Sequence, residues 1–280
     1  MDPTSPPEAP GAARRLLAEI SGYGRTLVAF SGGVDSSVVL AAAVRALGPA
    51  SVTAVTAVSP SLPAAELVAA RAFCTGLGVA HRTVVTGELA EPGYRENGSQ
   101  RCYFCKRTLL DEVRGLAQAE GYAAIATGTN ASDLAEGFRP GIRAAAQRGA
   151  RTPLADLGLP KPAVRAIARL WQLSTWDKPA AACLSSRIAY GVTITPARLA
   201  RVERAEAALR PLLAGRGVRN LRVRDLGESV RLEVDQPAVR LVDGDPEVVA
   251  VIAAAGFGSA PLTVEPFRSG AMNELLKPGR

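Results

Sequence analysis

Short apolar runs alternate with longer segments of helical period along the first two-thirds of the chain. The runs at 26–30, 51–58, 82–85 and 123–127 have the length of buried strands. Segments 12–20, 36–47, 63–77, 105–119 and 161–172 read as helices, the last starting around Pro162. This βαβα order predicts an α/β fold, a parallel sheet with helices on both faces. Ligands of such sheets bind at the carboxyl ends of the strands. Ser31, Ser59, Cys102 and Gly128-Thr129-Asn130 all follow predicted strands or fall in the loops there. After a linker from Gly191 to Pro196 the pattern changes to an Arg/Ala-rich helix over 197–213, alternating strands at 218–224 and 229–234, a helix over 246–254 and a strand near 261–265. That order predicts a smaller C-terminal α+β domain. The expected division is a disordered Pro-rich tail over 1–10, a first domain over 11–192 and a second over 193–280.

The first strand runs straight into Ser31-Gly32-Gly33-Val34-Asp35-Ser36-Ser37 and a helix that stops at Gly48. Glycines at 32 and 33 let the backbone turn tightly and present its N–H groups with no Cβ in the way. Together with the positive end of the helix, those amides suit a phosphate or pyrophosphate. Ser31, Ser36 and Ser37 add hydroxyls, and Asp35 is placed to reach a Mg²⁺ that accompanies a nucleotide. No Gly-Lys-Ser/Thr follows the glycines, so this is not a Walker loop. The strand, the SGGxDS turn and the helix resemble the PP-loop of ATP pyrophosphatases, enzymes that split ATP between its α- and β-phosphates.

Composition narrows the class without deciding the function. With 48% hydrophobic and 21% charged residues, the 280-residue chain reads as a soluble globular protein. It has no apolar run of about 18 residues that would span a membrane. Met1 to Pro10 lacks the basic-then-apolar order of a signal peptide, which sets a cytoplasmic location as the expectation. Of 33 basic residues 29 are arginine; lysine stands only at 106, 161, 178 and 277. The net charge of +7 favours anionic ligands.

Four cysteines are too few for a disulfide scaffold and point to ligands, nucleophiles or buried small side chains. Cys102-Tyr103-Phe104-Cys105 is a CxxC, compatible with a redox pair, half a zinc site or part of an iron–sulfur site. Zinc would need two further ligands among Cys183, Cys74 and the single histidine, His81. Cys102, Cys105 and Cys183 suffice instead for three irons of a [4Fe–4S] cluster. Cys74 falls on an apolar helix face and reads as core, and His81 reads as structural or exposed. Cys183 lies between Lys178-Pro179-Ala180-Ala181-Ala182 and Leu184-Ser185-Ser186-Arg187, where Lys178 and Arg187 would favour a thiolate. In the second domain Arg222 and Arg224 share one strand face, Glu233 lies on the expected partner strand, and Arg268 follows the last strand. Arginine forks grip phosphate or carboxylate.

Taken together, these segments are similar to the LarE family of ATP-dependent sulfur transferases, which make a nickel-pincer nucleotide cofactor. The likeness spans roughly 12 to 275 and runs through RCYFCK (101–106), GTNASD with FRPGIRAA (128–145), TPLADLGLPK (152–161), WDKPAAACLSSRIAYG (176–191), LRVRDLG (221–227) and FRSGAMNE (267–274). The resemblance implies ATP and Mg²⁺ at Ser31, Gly32, Gly33, Asp35, Ser36, Ser37, Ser59, Gly128, Asn130 and Arg187. It implies a pyridinium mononucleotide with two carboxylates as substrate, bound through Arg222, Arg224, Glu233 and Arg268. One carboxylate is adenylated, pyrophosphate leaves, and a sulfur nucleophile displaces AMP. With all three cysteines present, it implies a [4Fe–4S] cluster on Cys102, Cys105 and Cys183 as the sulfur carrier. Where the family has only the cysteine matching Cys183, that side chain itself gives up its sulfur. The family also implies a homo-oligomer. Two other chemistries use the same turn: tRNA thiolation, against which stands the lack of paired zinc-ribbon motifs and of a lysine-rich RNA surface, and ammonia-dependent synthesis, in which the cysteines would have no role. Nucleic acid is therefore not an expected partner.

Overall fold

The computed structural model describes residues 9–135, 140–179 and 182–268. They form two compact units, one of Met1–Glu88 with Cys102–Ala181, the other of Leu89–Arg101 with Ala182–Arg280. Arg139, Ala180, Ala181 and most of the FRSGAMNE motif lie outside the described residues.

The first unit is built on a four-stranded parallel sheet. Its strands are β1 (Thr26–Ala29), β2 (Val52–Val58), β3 (Ala80–Val85) and β4 (Ala124–Ala126), in the order β3-β2-β1-β4. All four residues of β1 are buried, as a central strand covered on both faces requires. Alternation along the strands divides them between two cores. Val28, Val52 and Ala54 join α1 (Ala9–Ser21), α2 (Val34–Leu47) and α3 (Ala64–Gly76) on one face. Leu27 and Val55 meet Val113 and Ala117 of α4 (Arg101–Glu120) on the other. A fifth helix, α5 (Lys161–Leu170), buries Ala163, Val164, Ile167 and Ala168 in the first core. Here α1 already begins at Ala9, and Cys74 is 1% exposed in the same core. His81 lies on β3, where its Nε2 stands 2.8 Å from Thr56 Oγ1 and its ring meets Phe30 edge-on.

In the second unit β5 (Leu221–Asp225) pairs antiparallel with β6 (Val230–Val234), and β6 pairs parallel with β7 (Leu262–Pro266). The two longest helices among its described residues are α6 (Pro196–Ala214) and α7 (Pro246–Ile252). Thr195 caps α6 by accepting the Arg198 amide, and the buried Asp225 carboxylate receives Arg198 and Arg201 from its first turns. The segment before α4 also belongs here. Asn97 takes a left-handed φ of 56° and donates to the carbonyls of Ile188, Ala189 and Val192. Arg101 completes the tie through Asn97 Oδ1 and the Ser185 carbonyl.

One expectation changes. The helix expected over 105–119 begins four residues earlier, at Arg101, so Cys102 is not in a loop and α4 carries both thiols in its first turns. No glycine or proline interrupts 101–106, so nothing breaks the helix before Lys106.

Candidate functional site

In the first unit the candidate residues gather where β1, β2 and β4 end. Gly32 has a φ of +72°, a conformation that glycine adopts without strain. Gly33 then caps α2 with extended backbone, so the first amides of the helix stay without helical partners. The turn is stitched internally: Ser36 Oγ donates to the Gly33 carbonyl, receives the Ser31 amide and stands 3.1 Å from Ser31 Oγ. Ser37 is fully buried, and its hydroxyl has no hydrogen-bond partner among the described residues.

The loop after β4 closes on this turn. A Cβ on Gly128 would lie 2.6 Å from the Ser36 nitrogen and 2.9 Å from the Asp35 carbonyl carbon, so only glycine allows the approach. Asn130 donates to Asp35 Oδ1 at 3.3 Å and receives the Asp133 amide on its own Oδ1. Ser132 Oγ accepts the amide of Lys161, which fixes the start of α5 against the same loop. After β2, Ser59 and Ser61 both donate to Glu88, a carboxylate only 2% exposed.

Two lysines complete the surroundings of the turn. Lys161 Nζ is ion-paired with Asp35 Oδ2. Lys178 Nζ donates to the Gly32 carbonyl at 3.1 Å and to Glu66 Oε2 at 2.7 Å. Sequence reasoning gave Lys161 no role and placed Lys178 beside the thiol of Cys183. The available signal was their rarity in an arginine-rich chain.

Cys102 is exposed and Cys105 half-buried on α4. Burial pushes the neighbouring Lys106 ammonium below its ordinary value, while Cys105 acts in the opposite sense. Cys183 is half-buried in the second unit, ahead of a single 3-10 turn over Leu184–Arg187. Arg187 organises that turn: its Nη1 donates to the carbonyls of Ala182 and Cys183, and its Nε and Nη2 grip both oxygens of Glu206. Thiolates are the donors that iron–sulfur clusters take, so Cys102, Cys105 and Cys183 fit one in kind. Among the described residues no group of three or more His, Cys, Asp or Glu is suited to hold a metal ion.

The second unit also buries charge. Arg222 stands opposite Glu233 across β5 and β6, and Arg224 Nη2 meets Glu233 Oε2 at 2.7 Å. Arg224 also donates to the Ser186 carbonyl, and its Nε is buried without a hydrogen-bond partner among the described residues. Arg187, Arg222 and Arg224 are each at most 7% exposed, against two equally buried carboxylates, Glu206 and Glu233. Burial and the adjacent Arg187 push the Arg222 guanidinium down to about 10. Phe267 lies 5.4 Å from the Arg222 guanidinium, and Arg268 next to it is exposed. A cavity of about 750 Å³ opens elsewhere, beside the start of β4, lined by Arg114, Tyr122, Gln147, Arg148 and Arg151, and no candidate residue borders it.

Residues 17–104, which include the SGGVDSS turn, match the NAD synthase family model. An uncharacterized protein of Synechocystis sp. is 44% identical over 94% of this chain and 96% of its own length. Pyridinium-3,5-bisthiocarboxylic acid mononucleotide synthase of Lactiplantibacillus plantarum is 33% identical over 93% of both chains. With that likeness over nearly its full length, the chain belongs to the LarE family of pyridinium-3,5-bisthiocarboxylic acid mononucleotide synthases.

Proposed function

We propose that the chain is an ATP-dependent sulfur transferase converting carboxylates of pyridinium-3,5-biscarboxylic acid mononucleotide into thiocarboxylates. The observation that carries this reading is the turn after β1, where Gly128 closes on α2 and leaves free helix-terminal amides beside Asp35. Amides at a helix start favour a phosphate. Family membership supports sulfur transfer as the outcome. The NAD synthase likeness covers only the nucleotide-handling part, which ammonia-dependent enzymes need as well.

In this reading a substrate carboxylate oxygen attacks the α-phosphorus of ATP, and the bond to the β,γ-pyrophosphate breaks. Negative charge grows on the leaving pyrophosphate, toward which the amides of Gly32, Gly33 and the first turn of α2 are directed. Ser31, Ser36 and Ser37 add hydroxyls, Asp35 holds Mg²⁺, and Ser59, Gly128, Asn130 and Arg187 contribute to nucleotide binding. The second unit binds the substrate: Arg222, Arg224 and Arg268 receive its phosphate and free carboxylate, with Glu233 orienting Arg224. A sulfur nucleophile then attacks the acyl carbon and AMP leaves.

Cys102, Cys105 and Cys183 are the residues that would hold a [4Fe–4S] cluster. When bound, the cluster would provide a transferable sulfide. Without it, the Cys183 thiolate attacks the acyl-adenylate and expels AMP to form a thioester; loss of the Cys183 Cα proton to a base and cleavage of its Cβ–Sγ bond then release the thiocarboxylate and leave dehydroalanine. A homo-oligomer in the cytoplasm completes the proposal; among the described residues no helix is long and apolar enough to cross a membrane.

The test is anaerobic purification with iron, sulfide and zinc analysis, followed by incubation with ATP, Mg²⁺ and the biscarboxylate mononucleotide. About four irons per chain, with pyrophosphate release and a thiocarboxylate product, is the expected result. Product without iron, with Cys183 lighter by one H₂S, would replace the cluster by the cysteine. No pyrophosphate release in either state would overturn adenylation.

A further inference from the structure

We propose that Lys161 and Lys178 form a two-ammonium clamp for the β,γ-pyrophosphate of the nucleotide, held ready on either side of the SGG turn by Asp35 and Glu66. The proposal rests on ATP use as inferred above and extends it to residues outside the turn.

The geometry within the first unit is specific. Gly32 and Asp35 mark the two sides of the turn. Lys178 Nζ touches the Gly32 carbonyl, and Lys161 Nζ touches the Asp35 carboxylate. One helix arranges both. Lys161 is the first residue of α5, pinned by Ser132, and Arg165 one turn later donates to the carbonyls of Trp176 and Lys178. Both ammonium groups thus come to the turn on supported backbone rather than on a free loop.

The charges are balanced, since each ammonium faces one carboxylate. Side chains of both lysines and both carboxylates are between 21% and 36% exposed, so an incoming anion can reach them. An ammonium has three N–H donors. Lys178 uses two, on Gly32 and Glu66, and Lys161 uses one, on Asp35, among the described residues. Donors therefore remain for a ligand. Asp35 would hold the cation of a Mg²⁺-bound triphosphate, and Lys161 would then be free to turn toward the phosphate oxygens.

The residue type supports the assignment. Lysine occurs four times against 29 arginines, and two of the three lysines among the described residues stand on this turn. An ammonium is a compact charge that rotates to follow a leaving group, whereas a planar guanidinium fork demands a fixed partner. The space beside Gly32 suits the smaller head: a Cβ there would already have Ala70 Cβ and Lys178 Nζ at 3.8 Å and Glu66 Oε2 at 3.9 Å.

The experiment is calorimetric titration of the full chain with Mg·ATP, inorganic pyrophosphate and AMP, for the wild type and for Lys161→Met, Lys178→Met and Lys161→Met/Asp35→Asn. Circular dichroism checks that each variant is folded. Each single variant is expected to bind Mg·ATP and pyrophosphate about 10-fold or more weakly, with AMP affected less than about threefold. The double variant removes the orphaned Asp35 charge, and its pyrophosphate affinity is expected to stay low. Recovery in the double variant, equal loss of AMP and ATP, or affinities equal to wild type would each overturn the clamp. A wild type that binds neither ATP nor pyrophosphate would overturn the nucleotide reading itself, and the clamp with it.

Discussion

Gly128 and Ser36, 92 positions apart, approach so closely that a Cβ on the glycine would stand 2.6 Å from the serine nitrogen. This contact seats the loop after β4 on the first turn of α2 and brings Asn130 to Asp35. A methyl group at 128 can be accommodated only by pulling the two loops apart, since the atoms it meets are backbone.

Gly128→Ala is therefore expected to cost about 1–3 kcal/mol, the usual range for overpacking, and to lower Tm by roughly 3–10 °C. ATP affinity is expected to fall with it. Gly115→Ala is the control. That glycine lies inside α4 with nothing within 4 Å of the added carbon, so alanine there is expected to be neutral or slightly stabilising. Thermal melts and ATP titrations of the two variants check this. Equal behaviour of the pair would remove the argument for the close approach.

Arg222 is expected to trade stability for binding. Its guanidinium is driven down to about 10 by burial and by Arg187, a measure of what it costs to hold this charge in the interior. That lowering corresponds to a cost on the order of 3 kcal/mol in the ligand-free protein. Arg222→Met keeps the volume and removes the charge. The variant is expected to melt higher than wild type and to lose the rise in Tm that the mononucleotide substrate gives wild type. A lower Tm with substrate stabilisation intact would contradict both halves.

Stability should decline at both ends of the pH range for two identifiable reasons. Burial, with Arg71 nearby, lowers the pKa of His81, so the folded state binds this proton less readily than the unfolded state. Stability is then present above pH 6.5 and lost as the pH falls below it. At the alkaline end, burial pushes the Cys74 thiol up to about 11. The unfolded chain ionises this thiol first, so stability falls between about pH 9 and 11, by roughly 2–3 kcal/mol in full. Denaturant melts across pH check both limbs. His81→Gln is expected to flatten the acid limb and Cys74→Ala the alkaline one, and unchanged limbs would reject these assignments. Alkylation at neutral pH gives a second reading: exposed Cys102 reacts while Cys74 is protected until the chain unfolds.

Much of the fold was legible locally. The four parallel strands and their helices follow from apolar runs and helical period, and the turn after β1 follows from its glycines, because these signals sit within a few residues of one another. The exposed strand β3 was shortened by two residues in the sequence reading, since the exposed Ala80 and the half-buried His81 carry little apolar signal. The helix that carries the CxxC starts four residues before the expected 105, because no proline, glycine or capping side chain within 101–105 marks where it begins.

From the sequence alone came the strand–helix order, the glycine and serine turn after β1, the three candidate cysteines and the arginines of β5. Tertiary structure decided which distant groups meet them. Lys161 reaches Asp35 across 126 positions, Lys178 reaches Gly32 across 146, and Asn97 ties its segment to Ile188 across 91. Such pairings leave no local pattern, because they arise from the strand order and from which helix each loop closes upon. Periodicity reports only whether a side chain is buried; its partner is set by the rest of the chain folding around it.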